Sequence, residues 1–111
     1  MLHEDAIALL KQLISIPSLS KEEKGTADGI ESFLKEKGVA VKRHLNNVWA
    51  TNAHFNKDKP TILLNSHHDT VKPNAGYTRN PHEAKEENGK LYGLGSNDAG
   101  GALVSLLATF L

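Results

Sequence analysis

Apolar residues recur at helical spacing along the first third of the chain. Ile7, Leu9, Leu10, Leu13 and Ile14 form one stripe within residues 5–16, the repeat of an amphipathic helix. Pro17 ends it, because proline lacks the backbone donor and disfavours helix in the residue before it. Ser18-Leu19-Ser20 reads as a turn, and Ser20 with Glu23 three residues on has the form of a capping box. The spacing predicts a second helix over about 21–37, with Ala27, Ile30, Phe33 and Leu34 facing the core and Gly38 closing it.

The period then changes. Residues 39–45 and 48–51 read as short strands joined by a turn at Asn46-Asn47. After a polar loop, the run Thr61-Ile62-Leu63-Leu64-Asn65-Ser66 is continuously apolar at its centre, as a central strand covered on both faces would be. Residues 84–86 and 91–92 flank Asn88-Gly89, a strong hairpin signal. A last helix is expected after Asp98, and residues 100–111 are apolar on nearly every face, which calls for cover on both sides. This order predicts an α/β fold, a sandwich with a mixed sheet, and a domain that extends past Leu111. Repeats and low-complexity linkers are absent.

Composition narrows the chemistry. The chain has 111 residues, 39% of them hydrophobic, and nine glycines, an ordinary globular balance. Thirteen Lys+Arg offset thirteen Asp+Glu, so no basic field points to nucleic acid. No apolar run approaches the ~20 residues that span a bilayer, and Met1-Leu2-His3-Glu4-Asp5 lacks the basic start of a signal peptide; a cytoplasmic protein without membrane contact is expected. The absence of cysteine excludes disulfides, thiol catalysis and cysteine–zinc sites. Any metal must be held by carboxylates and the six histidines.

Two segments carry candidate chemistry. Ser66-His67-His68-Asp69-Thr70-Val71 lies where the apolar run ends, and ligands of α/β sheets gather beyond the C-terminal ends of strands. On extended backbone His67 and Asp69 share a face, so Asp69 can bond the second ring nitrogen of a metal-ligating His67, while His68 points the other way. A polar loop with two surface histidines is the plainer alternative. The second segment, from Tyr92 to Gly101, contains Gly93-Leu94-Gly95-Ser96-Asn97-Asp98. It has the outline of a phosphate loop, but a carboxylate stands in the third glycine's place, which repels phosphate and attracts a cation. The plainer alternative for Asp98 is a helix N-cap. Together, His67 and Asp98 could converge on one ion.

The order of these segments resembles the N-terminal part of the M20 family of zinc-dependent amidohydrolases and peptidases. The likeness runs through all 111 residues: an opening helix ending Ile-Ser-Ile-Pro-Ser, then Asn-Ser-His-His-Asp-Thr-Val-Lys-Pro, then Asn-Gly-Lys-Leu-Tyr-Gly-Leu-Gly-Ser-Asn-Asp. It implies a three-layer αβα sandwich with a mixed central sheet, of the zinc-exopeptidase type, of which residues 1–111 would be the N-terminal part. It further implies that His67 is a terminal ligand to one zinc, that Asp98 bridges two zincs, that Asp69 orients His67 and supports the catalytic groups, and that the Asp98–Ala99 peptide is cis. Cobalt or manganese would also suit such ligands. Gly100-Gly101 stands where many members have Lys-Gly. The family's catalytic Glu-Glu pair follows the bridging Asp; Glu86-Glu87 precedes it and reads as solvated turn charge. His3, His44, His54 and His82 read as surface residues and Trp49 as core.

The implied reaction is hydrolysis of a small N-acyl amino acid by a metal-activated water, with acetylornithine as the first substrate reading. Desuccinylases, dipeptidases and carboxypeptidases of the same family are alternatives, as is a non-catalytic module that keeps the fold. A homodimer of the intact protein is left open. The 111-residue chain alone, with two ligands, is expected to be inactive.

Overall fold

The apolar stripe of the opening segment becomes a helix because it can be buried between two others. In the computed structural model, which describes residues 2–111, α1 (Leu2–Ser15) buries Ala6, Leu9, Leu10, Leu13 and Ile14. Ile7 stands at the edge of that stripe, partly exposed. Helix α2 (Lys24–Glu36) buries Ala27, Ile30 and Leu34 as expected, with Thr26 and Gly29 beside them; Phe33 packs half-buried on the core. The helix starts three residues later than the capping-box reading places it. Glu23 sends its carboxylate to the backbone N–H of Lys21 at 2.6 Å, and not to Ser20, so no box forms. At the other end Gly38 has φ +78°, and the Val39 N–H donates to the Leu34 carbonyl at 3.0 Å, which closes the helix as predicted.

Helix α3 (Gly101–Phe110) buries Leu103, Val104 and Leu107. It packs on α1, which also contacts α2, so α1 is the shared centre of one core. Its remaining apolar residues are half-buried or exposed.

The strands form two separate antiparallel hairpins. Strands β1 (Lys42–His44) and β2 (Asn47–Trp49) pair with Arg43 opposite Val48. The turn is Leu45-Asn46, one residue earlier than predicted, with Leu45 in the left-handed region at φ +54°. Strands β3 (Lys85–Glu87) and β4 (Lys90–Tyr92) turn at Asn88-Gly89, whose φ values of +52° and +74° are those of a type I′ turn.

The α/β character holds. The predicted strand at 61–66 does not form a ladder among the described residues: Ile62 is 83% and Leu63 85% exposed. A strand needs neighbours to satisfy its backbone groups, and both hairpins spend theirs on themselves. Trp49, read as core, is also exposed, because it lies at the end of a two-stranded ribbon.

Arg43 ties β1 to α2, donating to Asp28 and to Glu31 at 2.9 Å. Lys24 foremost, and then Arg43, hold the Asp28 carboxyl below its ordinary range; Lys35 and then Arg43 do the same for Glu31. Carboxylates depressed by folding contribute stability above their unfolded pKa and lose it as pH falls through the folded value. The thermal midpoint should therefore drop as pH is lowered from about 5, and Arg43→Met should flatten that slope. The pairs are exposed, so salt should flatten it as well. Parallel pH profiles for the two proteins would refute this.

Candidate metal centre

The segment after the unpaired run is held at alternate residues. Thr70 donates its backbone N–H to the Ser18 carbonyl at 2.7 Å, within a parallel bridge between Leu19 and Thr70. The His68 ring turns into the body, where it meets Thr26 and the Asn46 carbonyl. Extended backbone then sends His67 and Asp69 to the opposite side. Both line an open cleft of about 1120 Å³.

In that cleft the His67 ring sits between two carboxylates. Its Nδ1 lies 2.9 Å from Asp69 Oδ1, and its Nε2 lies 3.1 Å from Asp98 Oδ1. Nδ1 also approaches the Asp69 carbonyl at 3.2 Å. Partial burial disfavours the charged ring, but the Asp69 carbonyl and carboxylate together with Asp98 outweigh it, so His67 holds its proton above the ordinary histidine range. The structure thus brings the side chains of His67, Asp69 and Asp98 together in the cleft.

Asp98 reaches this position through an irregular turn. Ser96–Gly100 forms one wide helical turn in which Asp98 and Ala99 leave helical angles, and the Asp98–Ala99 peptide is cis, as the resemblance implied. The N-cap of α3 is Gly100, with no side-chain cap bond, so Asp98 is not a plain helix cap. Gly95 opens the turn at φ +81°, and a Cβ there would lie 2.7 Å from Thr70 Cγ2. Gly95→Ala is therefore expected to cost roughly 1–3 kcal/mol in urea unfolding. Gly38→Ala, at φ +78° with no described atom within 4 Å of its added Cβ, should cost less. Equal costs would show that Thr70 gives way freely.

The donors suit a small divalent cation. Two ligands on a tetrahedral ion with bonds of about 2.0–2.1 Å stand about 3.3 Å apart, close to the 3.1 Å between His67 Nε2 and Asp98 Oδ1. Asp98 faces solvent, so an incoming ion meets no steric barrier at its carboxylate. Among the described residues no group of three or more His, Cys, Asp or Glu is arranged to hold a metal. The cleft thus holds a His–Asp pair and no third such group arranged with it among the described residues.

The other histidines stand outside the cleft. His3, His44 and His54 are exposed as expected; His82 is half-buried, with Nδ1 3.3 Å from the Ile14 carbonyl. Glu86 pairs with Lys11 at 3.1 Å and Glu87 with Arg79 at 2.8 Å. The Arg79 guanidinium also lies 3.8 Å from the Tyr92 ring centre, and both residues line the cleft. Neither was foreseen. The supports behind the site, Thr26 and Asn46, were missed too, although a hydroxyl on the apolar face of a predicted helix is a signal that it needs a partner.

With that geometry in place, comparison with known proteins decides the family. Residues 63–111 match the model of peptidase family M20/M25/M40, the span that contains His67, Asp69 and Asp98. Over these residues the chain belongs to that family. The rest of the chain is covered by longer alignments. A succinyl-diaminopimelate desuccinylase of Rickettsia bellii (strain OSU 85-389) is 34% identical over 112 residues, covering 92% of this chain and 28% of the relative. One of Beijerinckia indica subsp. indica is 30% identical over 119 residues, 97% of this chain and 30% of the relative. One of Delftia acidovorans is 29% identical over 102 residues, 83% of this chain and 26% of the relative. The chain therefore spans between a quarter and a third of the length of these relatives. Among the described residues no helix is long and apolar enough to cross a membrane.

Proposed function

We propose that residues 1–111 are the N-terminal part of the catalytic domain of a zinc-dependent amidohydrolase that removes a succinyl group from an N-acyl amino acid. The observation that carries this reading is the His67 ring set between Asp69 and Asp98 at 2.9 and 3.1 Å. The relatives reported above are named for desuccinylation, which favours the desuccinylase alternative over acetylornithine as substrate.

In this reading His67 Nε2 and the Asp98 carboxylate are the chain's two metal donors. Asp69 accepts a hydrogen bond from Nδ1–H, which orients the ring and raises the basicity of Nε2, and a bound cation would take the place of the hydrogen between Nε2 and Asp98. A bound zinc ion would supply the positive charge that acidifies a water and polarises the scissile carbonyl. Lys72 and Arg79 on the cleft wall give it cationic groups suited to a substrate with free carboxylates.

A closed zinc site needs more donors than two. The 111-residue chain is therefore expected to bind zinc weakly, at one ion per chain, and to show no turnover. Calorimetric titration with zinc tests the first point, and the absence of any binding at millimolar zinc would overturn it. Assayed within a complete catalytic domain, these residues should support hydrolysis of succinyl-diaminopimelate in preference to N-acetylornithine. The reverse preference would refute the substrate reading.

A further inference from the structure

The side of segment 66–70 that faces away from the cleft carries a network of hydrogen bonds. Thr26 Oγ1, on a residue only 1% exposed, lies 2.7 Å from His68 Nδ1. His68 Nε2 lies 2.9 Å from the Asn46 carbonyl. Asn46 Nδ2 donates to Glu23 Oε2 at 3.1 Å, and the Glu23 carbonyl lies 3.1 Å from Thr26 Oγ1. The second Glu23 oxygen accepts from the Lys21 N–H at 2.6 Å. Three parts of the fold meet here: the start of α2, the β1–β2 turn and the segment that bears His67 and Asp69.

The partners engage both ring nitrogens. A carbonyl only accepts, so His68 Nε2 must carry the hydrogen that goes to Asn46. At the other nitrogen, Nδ1 lies 2.7 Å from the Thr26 hydroxyl, which also reaches the Glu23 carbonyl at 3.1 Å. The Thr26 hydroxyl and His68 Nδ1 share one hydrogen, whichever of them donates it. Both ring nitrogens are used, so His68 has no lone pair free for a metal, although it adjoins His67 in sequence.

We propose that His68 is a positioning residue: its ring pins the peptides on either side of it, and so sets where His67 and Asp69 stand in the cleft. The mechanical link is short. Residues 67 and 69 flank the pinned residue directly, and residue 70 is fixed in turn by Ser18. Rotation about the backbone at residue 68 would swing both cleft residues together, and a displacement of about 1 Å is enough to spoil a ligand geometry. Neither His68 nor Thr26 lines the cleft, so any effect they have on it passes through the backbone of that segment. This proposal rests on the metal-binding reading above.

The test uses the 111-residue chain and zinc alone, with affinity measured by competition against a chromogenic chelator. Thr26→Val removes the hydroxyl while keeping the shape. His68→Ala removes both contacts. His68→Gln can still donate to the Asn46 carbonyl and accept from Thr26. Losing such a support is expected to weaken zinc binding about 10–100-fold in His68→Ala and about tenfold in Thr26→Val, with His68→Gln within about threefold of wild type. Leu34→Ala, a core change remote from the cleft, controls for general destabilisation: it should lower the thermal midpoint without changing zinc affinity. Wild-type affinity in Thr26→Val and His68→Ala would overturn the proposal, as would an equal loss in Leu34→Ala. If His68→Ala fails to fold, Thr26→Val decides. If the wild-type chain binds no zinc, the metal reading fails, and positioning is read separately from the nitrogen and proton NMR signals of the His67 ring in the metal-free chain. The Nδ1–H signal bonded to Asp69 should then persist in wild type and His68→Gln and be lost in Thr26→Val and His68→Ala; its persistence in all four proteins overturns positioning.

Discussion

His67→Ala is expected to reduce zinc affinity about a hundredfold or more, and in a complete catalytic domain to bring hydrolysis to background. Structural zinc sites gain about 10–16 kcal/mol from four ligands, or about 3 kcal/mol per ligand, and each 1.4 kcal/mol is a factor of ten. In the proposed reading His67 is one of two donors, and Asp98 stands 3.1 Å from it with no third His, Cys, Asp or Glu placed to compensate among the described residues. Asp98→Asn should weaken binding in the same direction, since it keeps the shape and removes the charge that balances the cation. His44→Ala changes an exposed histidine on β1 and should leave affinity unaltered. Competition titration of the three variants checks the ranking. Retention of wild-type affinity by His67→Ala would place the ion elsewhere and remove the basis for the proposed chemistry.

The cleft pair was legible because its parts are local. The two-residue period of extended backbone places His67 and Asp69 on one face and His68 on the other, and the structure keeps that alternation. The glycines before Asp98 marked a loop between strand and helix, and Gly95 at φ +81° opens the turn there. Hairpin β3–β4 followed from Asn88-Gly89 for the same reason: its geometry is decided by two residues. What failed were inferences that depend on partners. The continuous apolar character of 61–66 describes what a strand would bury, but pairing needs a neighbour, and none forms among the described residues. Ser20 and Glu23 had the spacing of a cap, yet the Glu23 carboxylate is shared between the Lys21 N–H and Asn46, and the position of Asn46 depends on the β1–β2 turn. The network through Thr26 and His68 was invisible in sequence, because its members are as much as 42 residues apart.

Leu10→Ala is expected to destabilise the chain by about 2–5 kcal/mol, the usual cost of truncating a buried leucine. For a domain whose stability is about 5–15 kcal/mol, that is a large share. Leu10 is 8% exposed and belongs to the core shared by the three helices. It also borders a small cavity with Leu103, Ala99 and Gly100, so it packs against the turn that carries Asp98. The contact is close: a Cβ on Gly100 would lie 2.6 Å from Leu10 Cδ1 and 2.7 Å from the Gly95 carbonyl oxygen. Gly100→Ala should therefore destabilise by overpacking. Combined, the two changes should cost less than their sum, because removing the leucine clears one of the two clashes. The relief should be incomplete, since the Gly95 carbonyl stays in place and its 2.7 Å bond from the Gly100 N–H holds the turn closed. Urea unfolding of the four proteins in the cycle measures this coupling, and strict additivity would show that Leu10 and the Asp98 turn are independent. Because Leu10 supports that turn and Leu34 does not, Leu10→Ala should also weaken zinc binding where Leu34→Ala does not, which ties the packing of α1 to the geometry of the cleft.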